Sequence, residues 1–155
     1  MRLISHRGNL TNREFEENQP KYIERAIEAG YDCEIDIWLT GDKLYLGHDE
    51  PLYSISFEWL FKYKGPLLLH CKNPAILQWL HTYNCGFVEK WKPVMNFNYF
   101  WNDQDKYTLT SLGIPLCYPG TNPINDSILM KAEHFVFDPK NIYGICSDYI
   151  ERFKC

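Results

Sequence analysis

The sequence predicts an α/β fold, read as a compact or reduced (β/α) TIM-like barrel with some helices missing. Short strand-like runs recur along the whole chain, several of them nearly continuous apolar stretches such as "PLLLHCK". Runs of that kind suit strands covered on both faces. Helical segments fall between the early runs in the order β-α-β-hairpin-α-β-α, the pattern of a mainly parallel sheet. Up to eight short strands permit a barrel, but 155 residues is well under the ~250 typical of a complete one. A barrel of this length has lost helices or is incomplete.

Each element has a local reason. "RLISH" opens as a short apolar strand and stops at His6-Arg7-Gly8. In "QPKYIERAIEAG", Tyr22, Ile23, Ala26 and Ile27 repeat at helical spacing, and Gly30 supplies the stop. "DCEIDIWL" and "KLYLGH" are two strands folded together by "TGDK". "SFEWLFKYKG" reads as a helix with Ser56 as N-cap, ending before Gly65. "NPAILQWLHTYN" has Asn73 as N-cap and Pro74 in the first helical position. Beyond it, "KPVMNF", "YTLTS", "IPLCY", "HFVFD" and "YGICSDY" read as strands, and helix signals become scarce.

Composition bounds the function. The length suits a single domain, 1–155, with 45% hydrophobic and 23% charged residues. The aromatic share, 16%, is high and suits either an aromatic-rich core or an aromatic-lined cleft. A net charge of −4 argues against nucleic-acid binding, which relies on a basic face, while leaving room for a local basic pocket. No run approaches the roughly 18 apolar residues of a transmembrane segment, and "MRLISHRGN" lacks a signal-peptide core. The six cysteines form no C-x-x-C pair, and Cys33, Cys71 and Cys146 lie in strand-like runs. They read as thiols in a reducing, cytoplasmic setting; the alternative is the disulfide framework of a secreted protein.

Residues two apart on a strand share a face. Glu34 and Asp36 therefore point one way, and Cys33, Ile35 and Ile37 the other. Two carboxylates about 7 Å apart repel unless a cation lies between them. A divalent metal would provide one; a solvated hairpin face would also accommodate them. The "TGDK" turn returns His48 to the level of Asp36, unless a one-residue slip sends it to the opposite face. His6 and Arg7 end the first strand, and His70 and Lys72 alternate inward on a later one. Arg7 offers a planar fork for phosphate oxygens, and Lys72 a second cation. In parallel α/β folds the strand C-terminal ends build the site. Taken singly, Arg7 could only pair with Glu17, and Lys72 could be a solvated strand end.

The run "HRG", then "EN", then "A-x-x-A-G-x-D-x-E-x-D-x-x-x-T-x-D-x-x-x-x-x-H-D" resembles the glycerophosphodiester phosphodiesterase family, within the superfamily of phosphatidylinositol-specific phospholipase C. His6, Arg7, Gly8, Glu17, Asn18, Ala26, Gly30, Asp32, Glu34, Asp36, Thr40, Asp42, His48 and Asp49 carry it, across about the first third of the chain. "LHCK" is similar to a family strand bearing Glu-x-Lys, "GIPLCYPG" to one bearing an aromatic, here Tyr118, and "GICSDY" to the closing strand.

The resemblance implies a metal-assisted hydrolase of a small glycerophosphodiester-type substrate. His6 and His48 would be its acid/base pair, and Arg7 and Lys72 its phosphate ligands. Glu34, Asp36 and His70 would hold the metal, with Tyr118 in the substrate pocket. The expected cofactor is a divalent ion, Mg²⁺ or Ca²⁺ first. His70 stands where the family has an acid, which also admits a softer transition metal. The alternatives are a degenerate barrel that binds a phosphorylated ligand without turnover, or an interaction protein using "FNYFW". A barrel short of helices would leave outer strand faces for a second copy to cover.

Overall fold

The computed structural model describes residues 1–86, 95–102 and 106–154. Among these residues, ten strands and three α-helices follow one another as β1 (Arg2–His6), α1 (Pro20–Glu28), β2 (Asp32–Thr40), β3 (Lys43–Leu46), β4 (Tyr53–Ile55), α2 (Phe57–Tyr63), β5 (Leu67–Cys71), α3 (Pro74–Asn84), β6 (Asn98–Phe100), β7 (Tyr107–Leu109), β8 (Pro115–Cys117), β9 (Ile128–Met130) and β10 (Gly144–Ser147). The fold is mixed α/β, as the sequence predicts.

Parallel ladders join β6, β5, β2, β1, β10, β9 and β8 in that order. β7 adds to β8 antiparallel, and β3 folds back on the second half of β2 and carries β4. The sheet curls: Ile4, Leu68, Phe100, Leu116, Met130 and Cys146 come from β1, β5, β6, β8, β9 and β10 and meet in one apolar cluster. No ladder closes it among the described residues. Ser111 spans the gap instead. Its N–H donates to Tyr99 O at 2.7 Å, and its Oγ donates to Phe97 O at 2.7 Å and accepts from Tyr99 N at 3.0 Å.

The outer face is covered in two ways. In the first half, Ile23 and Ala26 of α1, Leu60 of α2, and Ile76 and Leu80 of α3 pack on Cys33, Ile35 and Ile37. Ser56 and Asn73 cap their helices as expected, accepting from Trp59 N and Ile76 N at 3.1 Å each. In the second half short 3₁₀ turns replace helices. Phe135, Phe137 and Phe153 lie over Leu129 and Ile145. Part of the high aromatic content thus stands in for absent helices.

The outer covering also explains one misreading. "HFVFD" is not a strand: Phe135 and Phe137 face the core, Val136 is 99% exposed, and Asp138 caps the turn Pro139–Asn141 by accepting from Lys140 N. Alternation of this sort imitates a strand in sequence but here belongs to a loop. The strand of this region is β9, whose three residues were too few to stand out. In "KPVMNF", residues 92–94 lie outside the described residues, and the strand starts beyond it at Asn98.

Gly47 ends the hairpin in a φ of 150°, and a Cβ there would collide with the Glu50 carbonyl oxygen. Its N–H donates to Asp36 O at 3.2 Å, and its carbonyl accepts from Trp38 Nε1 at 2.6 Å. Gly47→Ala is expected to lose about 2 kcal/mol or more, from overpacking and backbone strain together. Urea unfolding checks this; an unchanged midpoint would show that the turn can yield.

Candidate active site

The sequence-named residues converge at the C-terminal ends of the parallel strands. A cleft of about 440 Å³ is lined by His6 and Arg7 after β1, Glu34 on β2, His48 after β3, His70 and Lys72 at the end of β5, and Tyr118 after β8. Asp36 lies behind this wall, fully buried. The register explains the convergence. His6 pairs with Glu34, and Asp36 with His70, so three strands bring their polar residues to one level. Glu34 and Asp36 are 1% and 0% exposed, which excludes the solvated-face reading. The hairpin does not slip, because Ile37 pairs with Leu46 and leaves His48 on the cleft side.

Two buried carboxylates need compensation, and they receive it unequally. Arg7 Nε lies 2.8 Å from Asp36 Oδ2, His70 Nδ1 3.0 Å and Lys72 Nζ 3.4 Å from Asp36 Oδ1. Asn18 Nδ2 donates to Asp36 Oδ2 at 2.9 Å, and Asn18 Oδ1 accepts from Asp36 N at 3.0 Å. Burial by itself would raise the Asp36 pKa, but His70, Arg7 and Lys72 outweigh it and hold Asp36 ionised, below the usual range. Glu34 is pushed the other way, first by burial and then by the Asp36 charge. Its nearest basic groups, His6 Nε2 and His70 Nδ1, stand off at 3.7 Å.

This imbalance bears on a metal. Glu34 Oε2 is buried without a hydrogen-bond partner among the described residues, whereas Asp36 Oδ1 has His70 Nδ1 and Lys72 Nζ beside it. One ligand atom from each of Glu34, Asp36 and His70 lies within 4.8 Å of the other two. His70 stacks on Phe100 at 4.6 Å between centroids, and its Nε2 is 3.3 Å from Asn102 O. With Nδ1–H toward Asp36, His70 compensates that carboxylate directly; in the alternative tautomer, with Nε2–H donated to Asn102 O, the Nδ1 lone pair would face both carboxylates and suit a metal. Outer hydrogen bonding of that kind is how metal-binding histidines are oriented. The donor set fits a divalent cation: two hard carboxylates and one imidazole.

The histidines differ in their support. His6 is nearly buried, with Nδ1 2.6 Å from Asp148 Oδ1, and Asn9 Nδ2 donates to the same oxygen at 2.8 Å. Burial opposes ionisation of Asp148, yet the bond to His6 prevails and its pKa falls to about 2. His48 is more open, with Nδ1 2.7 Å from the exposed Asp49. Partial burial, then the charge of Arg7, lowers the His48 pKa. His48 also borders a second cavity of about 480 Å³, which includes Glu17, Leu52 and Tyr53.

Arg7 pairs with Glu17 at 3.3 Å as well as with Asp36, and Lys72 is 16% exposed rather than a solvated strand end. Arg7 takes a left-handed φ of 57°, held by Arg7 N donating to Glu34 O at 2.8 Å and Asn18 N donating to Arg7 O at 3.0 Å. Two motif residues have roles that the motif does not show: Asn18 braces Asp36, and Asp148 of "GICSDY" braces His6. A polar residue just past a strand was the available signal for Asp148. Asn9 and Lys131 carried none. No protein-family model, no curated protein and no solved structure matches this chain.

Proposed function

We propose that this chain is a metal-assisted phosphodiester hydrolase of the glycerophosphodiester type, built on a reduced TIM-like barrel. One observation supports it most: three histidines, three cations and the buried Glu34 line one open cleft at the strand C-termini, with Asp36 buried behind it. A purely structural Arg7–Glu17–Glu34 network would be closed and dry.

Glu34, Asp36 and His70 would hold the divalent ion, which supplies charge for a non-bridging phosphate oxygen. Arg7 and Lys72 add fixed donors on the same side, a preorganised field that needs no rearrangement during reaction. His48, with its lowered pKa, is held neutral near pH 7 and suits the general base. It would take the proton of the attacking oxygen, from water or from a neighbouring hydroxyl of the substrate. His6, braced by the Asp148 carboxylate, suits the acid, because an adjacent carboxylate stabilises imidazolium. It would give its proton to the departing alkoxide. Tyr118 borders the cleft and stays a phenol, because burial raises its pKa.

A binder without turnover is the second reading. It is favoured by the cations already neutralising Asp36, which reduce the pull on an added ion. The deciding experiment is hydrolysis of a glycerophosphodiester and lysophospholipid panel across Mg²⁺, Ca²⁺, Mn²⁺ and Zn²⁺. Turnover that depends on metal supports the hydrolase; binding without turnover under every metal supports the binder. His70→Glu restores a third hard donor and is expected to tighten Mg²⁺ or Ca²⁺ about tenfold by calorimetry. An unchanged titration would remove His70 from the ligand set.

A further inference from the structure

We infer that Lys131 is the anion-capturing cation of the cleft and sets affinity for the substrate phosphate. The argument begins with charge already spoken for. Arg7 lies against both Asp36 and Glu17, and Lys72 against Asp36. An incoming anion must compete with carboxylates for both. Lys131 lines the same cleft from the far side of the curled sheet, just past β9, and forms no ion pair among the described residues.

The backbone of Lys131 makes the placement specific. It sits at φ 56°, ψ 59°, a left-handed conformation that side-chain-bearing residues enter at a cost. The turn that follows locks it: His134 N donates to Lys131 O at 3.0 Å, and Ala132 is buried. Glycine would satisfy this geometry without strain. The lysine side chain caps nothing in that turn, so it does not contribute there by hydrogen bonding. Its exposed ammonium is free to meet a phosphate oxygen, as a mobile point charge does.

The choice of phosphate as ligand rests on the phosphodiester reading above. Binding is therefore measured separately from turnover. The probes are inorganic phosphate, by calorimetry, and bis(4-nitrophenyl) phosphate, by steady-state rates in the metal that gives most activity. Lys131→Met is expected to weaken phosphate about tenfold and to raise KM about as much, with kcat within about twofold, because uniform binding is lost. Lys131→Arg keeps both within about threefold. Lys131→Gly loses binding like Lys131→Met, yet melts about 3 °C higher because the backbone strain is relieved.

Phosphate affinity and KM unchanged in Lys131→Met, in a wild type that turns over the diester, would overturn this inference alone. Lys131-dependent phosphate binding in a wild type that cleaves neither this diester nor any glycerophosphodiester of the panel would sustain it and overturn the hydrolase reading. A wild type that neither binds phosphate nor cleaves this diester or any glycerophosphodiester of the panel would overturn both.

Discussion

His6→Ala is expected to reduce diester cleavage by about 10²–10⁴-fold, the usual contribution of a positioned acid or base. The imidazole sits between Asp148, at 2.6 Å, and Glu34, at 3.7 Å, so its removal takes away the proposed proton carrier and leaves the Asp148 carboxylate without its main partner. Some stability is lost too, since the residue is buried. His48→Ala separates the effects. Its side chain is 39% exposed, so activity falls by a similar factor while melting hardly moves. Asp148→Asn keeps His6 but removes the charge that steadies imidazolium, and should fall between wild type and His6→Ala. Rates are read beside circular dichroism and thermal melts. Full activity in both histidine variants would sink the assignment.

Asp36→Ala is expected to cost about 3–5 kcal/mol of stability, the largest effect of any single substitution considered. The loss is mainly of compensation. Arg7 is left with Glu17, Lys72 and His70 lose their nearest carboxylate, and Asn18 loses its side-chain acceptor. Buried cations without partners are more expensive than the original pair was favourable. A double variant, Asp36→Ala with Lys72→Met, should therefore recover part of the loss. Urea denaturation of the three proteins measures it. Asp36→Ala within about 1 kcal/mol of wild type would show that this network is peripheral. Divalent-ion binding, followed by calorimetry, should vanish in Asp36→Ala even where the fold persists.

What could be read from the sequence followed from short-range rules. Alternation along "DCEIDIW" placed Glu34 and Asp36 opposite Cys33, Ile35 and Ile37, and the structure keeps that division. Ser56, Asn73 and Pro74 marked two helix starts, because capping depends on residues a few positions away. The strand-end location of His6, Arg7, His70 and Lys72 was equally legible, as was the tight return to His48.

Long-range facts decided the rest. Whether the acidic face was wet or buried depended on β1 and β5 flanking β2, since neighbouring strands remove water from a side chain whatever its own type. Asp148, 142 positions from His6, meets it only because β10 lies beside β1. Asn18 reaches Asp36 through a turn whose course the local sequence does not specify. "HFVFD" misled because a loop covering an apolar sheet edge has the same alternation as a strand, and only the surrounding packing tells them apart. The sequence by itself determined which ionisable residues stand at the strand ends and which face Glu34 and Asp36 take. The tertiary structure alone decided which charges neutralise one another, because that depends on distances across the sheet rather than along the chain.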